Sequence, residues 1–168
     1  MKNGNIQQIP QLIRRHSAVK EIIDNEVFLS MKDFRHHGDV SCLEHTLQVA
    51  ARACHMTRIR PGIDVISTVR AALLHDFYLY DWHTDSPGLH GLRHPHIALI
   101  NAEKHFTLND VERDAIKRHM WPLTPVPPRY RESYIVSMAD KLITFKDYTE
   151  KMVRHPEEEQ REQIAGSA

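Results

Sequence analysis

The sequence is poor in cysteine, in glycine and in net charge, and it has no long apolar run. Only Cys42 and Cys54 occur among 168 residues, which excludes a disulfide scaffold and an all-cysteine zinc site. The two fall 12 positions apart in one apolar-periodic segment. That is too far to bridge along one helix, so both are expected to be free, buried thiols. With 22 basic and 22 acidic residues the formal charge is zero. A strongly basic nucleic-acid binder and an acidic disordered chain are therefore disfavoured, although a local basic pocket stays open. No run of about 18 apolar residues exists, so no membrane span is expected. The opening MKNGNIQQIPQ lacks the apolar core of a signal peptide, and a cytoplasmic location is expected. Strands are missing as well: no segment carries a convincing β-branched alternation.

Helical patterning fills the space that remains. Hydrophobic residues make up 41% of the chain, enough for one core at this length. Ile6, Ile9, Leu12, Ile13, Val19, Ile22 and Ile23 follow helical spacing over 6–23, and a short helix is predicted over 26–34. Ser41 with Glu44 reads as a capping box opening a helix over 42–58, which Pro61-Gly62 ends. Asp64 caps a helix over 65–76, and 77–93 reads as a loop. Helical spacing returns over 94–106, and Asn109 with Glu112 opens 110–119. WPLTPVPPR, with four prolines, cannot be helical. A long helix follows over 132–152, and the polar end of the chain is expected to fray. The fold class is all-α, one compact domain of six or seven helices. Residues 1–35 supply helices packing on the core, 36–152 the functional domain, and 153–168 a polar tail.

The one abnormal count is histidine, at 13. Histidine binds metals, shuttles protons or fills space. His75-Asp76 ends the apolar run AALL, and an Asp there can bridge two cations with its two oxygens. His45 stands in EHTLQVA, His94 in RHPHIAL, His119 in KRHMWP and Asp140 in MADKL. Each precedes or interrupts an apolar pattern. A buried Asp140 bonded to a cap or a histidine needs no metal, but it is costly without a partner. Reading all six as structural takes six separate accounts. His96 lies about 200° round the helix from His94, so both cannot face one site.

The ordered series His45, His75-Asp76, His94, His119, Asp140 resembles the HD-domain superfamily of metal-dependent phosphohydrolases. EHTLQVA, ALLHDF, HPHIA and the late ADK carry the resemblance, over residues 36–150. The two extra histidines resemble the dinuclear subgroup, in style closest to bacterial symmetrical diadenosine-tetraphosphate hydrolases. The run HDFYLYDWH has no Lys or Gly-Lys behind the pair, unlike the cyclic-dinucleotide enzymes of that subgroup. The resemblance implies that His45, His75, Asp76 and Asp140 hold one divalent transition metal. Asp76 would bridge to a second, held by His94 and His119. Imidazole and carboxylate suit Fe, Mn, Zn, Ni or Co without selecting one. Two such ions, about 3.5–4 Å apart, activate a bridging hydroxide for attack on phosphorus. Asp76 would orient that hydroxide and so counts as catalytic.

The expected reaction is hydrolysis of a phosphate ester or anhydride of a small nucleotide, with no stable nucleic-acid binding. Two other readings use the same residues: a mixed-valent di-iron oxygenase, and a non-catalytic, metal-stapled nucleotide-binding module. His36-His37 could line the pocket mouth, ligate or donate to phosphate, and His37 is the one singled out. Asp81, His90, Arg129 and Lys141 are further substrate-binding candidates, the last two as phosphate anchors. Tyr80 and Trp82 are read as aromatics covering the site or stacking a base.

Overall fold

The computed structural model describes residues 6–37, 40–81 and 89–165, with the side chains of 37 and 150–165 outside that description. Among the described residues are eight α-helices and one small hairpin. They are α1 (Gln11–Arg14), α2 (Ser17–Ile23), α3 (Glu26–Leu29), β1 (Arg35–His37), β2 (Val40–Ser41), α4 (Cys42–Thr57), α5 (Val65–Leu74), α6 (His90–His105), α7 (Asp110–Arg118) and α8 (Arg131–Ala165). The fold is all-α, as the patterning implies.

The helix count exceeds six or seven because the segment 6–23 is broken twice. Pro10 has no N–H to donate, and it stands as the N-cap of α1. His16 is extended and separates α1 from α2. The apolar spacing survives the breaks, so Ile9, Val19, Ile22 and Ile23 all reach the core.

The three caps read from sequence are present. Ser41 Oγ accepts from Glu44 N at 3.2 Å, and Asp64 Oδ1 from Ser67 N at 3.0 Å. Asn109 and Glu112 complete a capping box in both directions. Two ends differ from expectation. α6 opens at His90 rather than 94 and carries Pro95 inside it. A Cβ at Gly91 would stand 3.2 Å from Leu123 Cδ2, so α6 passes close to the 120–123 segment here. α8 runs on to Ala165, where fraying was expected. No described helix is long and apolar enough to cross a membrane.

α5 is the central element. Its residues 67–74 are all buried, the mark of a helix enclosed on every side. α4, α7 and α8 pack against it, and α4 also packs on α8. The contact surfaces are small: Ala50 and Ala53 on α4, Ala71 and Ala72 on α5, Ala115 on α7, Ala139 on α8. Small residues let the helix axes approach, and that brings the histidine-bearing ends together.

One buried charge ties this core to the N-terminal helices. Arg70 on α5 donates from Nε to Glu112 Oε1 at 2.6 Å and from Nη2 to Thr107 O at 2.9 Å. Its Nη1 donates to Ala18 O on α2. Arg70→Met strands the buried Glu112 carboxylate and is expected to cost about 3 kcal/mol. Urea unfolding measures the loss. Adding Glu112→Gln should recover part of it, because the amide oxygen can still accept from Asn109 N. Equal losses in the single and double variants would rule out the stranded charge as the cause.

Candidate metal centre

Five histidines and two aspartates converge where these helices meet. His45 lies on the first turns of α4. His75 caps the C-terminus of α5, and Asp76 follows it as the chain leaves the helix. His94 is on α6, His119 caps the end of α7, and Asp140 is on α8. His36 comes from β1. All seven are buried, none more than 8% exposed.

Asp76 sits at the centre, and its two oxygens face different partners. Oδ2 lies 3.4 Å from His75 Nε2, 3.6 Å from His36 Nδ1 and 3.9 Å from His45 Nε2. Oδ1 lies 3.2 Å from His94 Nε2 and 3.6 Å from His119 Nε2. Asp140 Oδ1 adds to the first set, 3.2 Å from His45 Nε2 and 3.8 Å from His75 Nε2. The carboxylate thus presents one oxygen to each of two poles.

The backbone fixes which nitrogen faces inward. His75 Nδ1 donates to Ala72 O at 2.7 Å, His94 Nδ1 to His90 O at 2.9 Å and His119 Nδ1 to Ile116 O at 2.8 Å. A neutral imidazole donating through Nδ1 carries its lone pair on Nε2, the arrangement of a metal-ligating histidine. His94 Nε2 and His119 Nε2 stand only 2.8 Å apart. Two lone pairs at that distance repel unless a cation or proton lies between them. His75 Nε2 and Asp76 Oδ1 are buried with no hydrogen-bond partner, a costly state for polar atoms. These residues fit a metal and could hold one: His36, His45 and Asp76, or His45, His75 and Asp140, or His75, Asp76 and His119 offer donor atoms within 4.8 Å of one another. Nitrogen and carboxylate oxygen are donors for first-row transition metals.

The electrostatics say what fills this space when protons are the only cations. Burial disfavours charge on His75, but Asp76 and Asp140 outweigh it and raise its pKa to about 9. Burial disfavours the Asp76 carboxylate too, yet the neighbouring histidines, His75 foremost, hold it well below the usual range. Asp140 is held down in the same way by His45 and His75. His119 goes the other way: burial, then His94 and His75, push it down to about 3.

Beside the cluster lies a cavity of about 960 Å³. Its floor includes Asp76, His94, His119 and Asp140. Met120, Pro122, Leu123, Phe145 and Tyr148 form an apolar wall.

The six ligands expected from sequence are all brought together. The weaker candidates separate. His90 lines the cavity, stacks on His94 at 4.6 Å between ring centroids and pairs through Nδ1 with the Tyr80 hydroxyl at 2.9 Å. Lys141 reaches the cavity, but its ammonium donates to His119 O at 2.9 Å, Ser137 Oγ at 2.8 Å and Ser137 O at 3.2 Å. It holds the His119 turn rather than offering those donors to a phosphate. Arg129 is not brought to the cavity: its guanidinium lies over the Tyr130 ring, 5.9 Å from the centroid. Asp81 stands outside the cavity wall, near enough to Cys42 to act on its charge. The His37 side chain, Trp82 and His83 lie outside the described residues. His96 is exposed, opposite His94 on the helix, as its spacing requires.

Two groups escaped the sequence reading, one of them in part. The sequence offers His36 only as one of a pair that could line the pocket, ligate or donate, and it stands against Asp76; a three-residue strand is too short to show which way its side chains point. Asp147 places a carboxylate 4.0 Å behind His45 Nδ1. It lies two turns after Asp140 on the same face of α8, a spacing legible once Asp140 is accepted. Nearby, Cys42 Sγ and the Tyr78 hydroxyl are 2.6 Å apart. Burial and then Asp76 raise both pKa values far above neutrality, so Cys42 stays a thiol and is no nucleophile. No family model, curated protein or solved structure matches this chain.

Proposed function

We propose that the protein is a metal-dependent phosphohydrolase of the HD-domain kind. It would hold two divalent transition-metal ions and cleave a phosphate ester or anhydride of a small nucleotide. The observation that carries the reading is Asp76, whose oxygens each face a separate set of buried histidines, 3.4 Å from His75 and 3.2 Å from His94. The ordered series of ligand residues supports it further.

His45, His75, Asp76 and Asp140 would hold one ion, and Asp76, His94 and His119 the other. Bound metals supply Lewis acidity towards phosphoryl oxygens and an activated water at neutral pH. The chain supplies the rest. Carbonyl bonds to Nδ1 pre-set the inward nitrogens, so little reorganisation accompanies charge development. The apolar wall, exposed to solvent at Leu123, Phe145 and Tyr148, faces the cavity beside the cluster. Phe145 and Tyr148 on that wall offer surfaces on which a nucleobase can stack, and the cavity volume suits a small ligand.

The test is metal content and turnover on untagged protein prepared without oxygen. About two equivalents per chain are expected, with phosphate release from nucleoside mono- or diphosphates or from dinucleoside polyphosphates. Metal binding without turnover in Fe, Mn, Zn, Ni or Co would overturn the hydrolase reading.

A further inference from the structure

We propose that His36 is a seventh protein ligand, and that it makes the two poles of the centre unequal. The pole at His36, His45, His75 and Asp140 is rich in protein donors. The pole at His94 and His119 is open, and it is where the exchangeable ion and a phosphoryl oxygen of the substrate bind. The inference deepens the reading above and rests on it for the second ion.

His36 Nδ1 stands 3.6 Å from Asp76 Oδ2. Its ring stacks on His45 at 3.8 Å between centroids and 30° between planes. Donor atoms of His36, His45 and Asp76 lie within 4.8 Å of one another. The Tyr78 hydroxyl is 3.5 Å from the same His36 nitrogen, at the limit of hydrogen bonding. That hydroxyl already has the closer Cys42 Sγ, at 2.6 Å. The carboxylate is thus an anionic neighbour of this buried histidine.

The donor inventory then divides unevenly. Around Asp76 Oδ2 stand His36, His45 and His75, with Asp140 Oδ1 3.2 Å from His45 Nε2 and 3.8 Å from His75 Nε2. Together with Oδ2 that puts five protein donor atoms on this side, in two overlapping groups, His36, His45 and Asp76, and His45, His75 and Asp140. Around Oδ1 stand only His94 and His119 among the described residues. Three protein atoms leave positions for exchangeable ligands, the distinction between a structural and a catalytic metal site. The cavity meets both sides of the carboxylate: His94 and His119 line it, and so do His36 and Asp140, whereas His45 and His75 do not.

Cobalt(II) alone is the probe, added to metal-free full-length protein and followed by calorimetry and visible absorption. Wild type is expected to fill in two classes of about one equivalent each. His36→Ala should weaken the tight class at least 10-fold and intensify its d–d bands as the coordination number drops, with the weak class unchanged. His94→Ala should remove the weak class and leave the tight one. Should His36→Ala fail to fold by circular dichroism, His36→Gln decides by its spectrum: an oxygen donor in place of imidazole must shift the tight-class bands. Wild-type affinity and bands in a folded His36 variant would overturn the proposal while leaving the two-metal reading intact. Loss shared equally by both classes would also overturn it. If wild type binds no cobalt, both readings fall.

Discussion

Asp76→Ala is expected to abolish metal binding at both poles and all turnover. Among the described residues the carboxylate is the only group whose two oxygens face both sets of histidines, at 3.4 Å and 3.6 Å on one side and 3.2 Å and 3.6 Å on the other. Removing it takes one anionic donor from each ion and leaves the Nε2 atoms of His94 and His119 facing each other with nothing to hold a cation near them. Asp140→Ala takes a donor from one pole alone, so it should spare about one equivalent. Two controls frame the result. His96→Ala, on the exposed side of α6, should keep both ions and the rate. His94→Ala should lose the open pole and the rate. Metal content after dialysis and phosphate release are the two readouts. Retention of two equivalents in Asp76→Ala would mean that the histidines bind independently, and the bridge would be wrong. If His96→Ala loses metal and His94→Ala does not, the face of α6 has been misassigned.

The legible part of this centre was legible for physical reasons. A buried histidine or aspartate on a helix interrupts an apolar periodicity that the rest of the helix enforces, so His45, His94 and Asp140 each stand out against their neighbours. His75 sits one position beyond a helix whose last turn, the apolar run AALL, is buried and points the chain inward; His119 follows a last turn in which Ala115 and Ile116 are buried but Lys117 is exposed. The caps at Ser41, Asp64 and Asn109 set where α4, α5 and α7 start, and the ends of α5 and α7 then deliver His75 and His119. His36 had no such frame. It lies in a hairpin whose pairing, Arg35 with Ser41 and His37 with Val40, is tertiary and irregular, and no periodicity can be read from three residues. The fate of Lys141 was equally out of reach. Its place after Asp140 is visible in sequence, but its three acceptors, His119 O and both oxygens of Ser137, come from the junction of α7 and α8. The early start of α6 escaped because Pro95 argues locally against a helix there.

Metal removal should invert the response of stability to pH. In metal-free protein His75 has its pKa raised to about 9, from an unfolded value near 6.5. A raised histidine contributes stability fully below 6.5 and loses it as pH rises towards 9. Asp76 and Asp140 are depressed, so their contribution is present above about 4 and is lost in acid. His119, depressed to about 3, contributes above 6.5 and loses it as pH falls towards 3. Metal-free protein is therefore expected to be most stable near pH 6.5 and to weaken from there to pH 9. A bound ion takes the place of the His75 proton, so binding releases that proton and its apparent affinity rises with pH over the same interval. At free metal a thousandfold above Kd, each ion adds about 4 kcal/mol. For a chain of this size one ion should raise Tm by roughly 10 °C. Calorimetry at pH 6.5, 7.5 and 8.5, with chelator and with metal, reads both effects. The two curves should diverge as pH rises, the chelated one falling and the loaded one holding or rising. Parallel curves would mean that the proton on His75 and the metal do not compete for one place, and the convergence of lone pairs on Asp76 would then need another explanation.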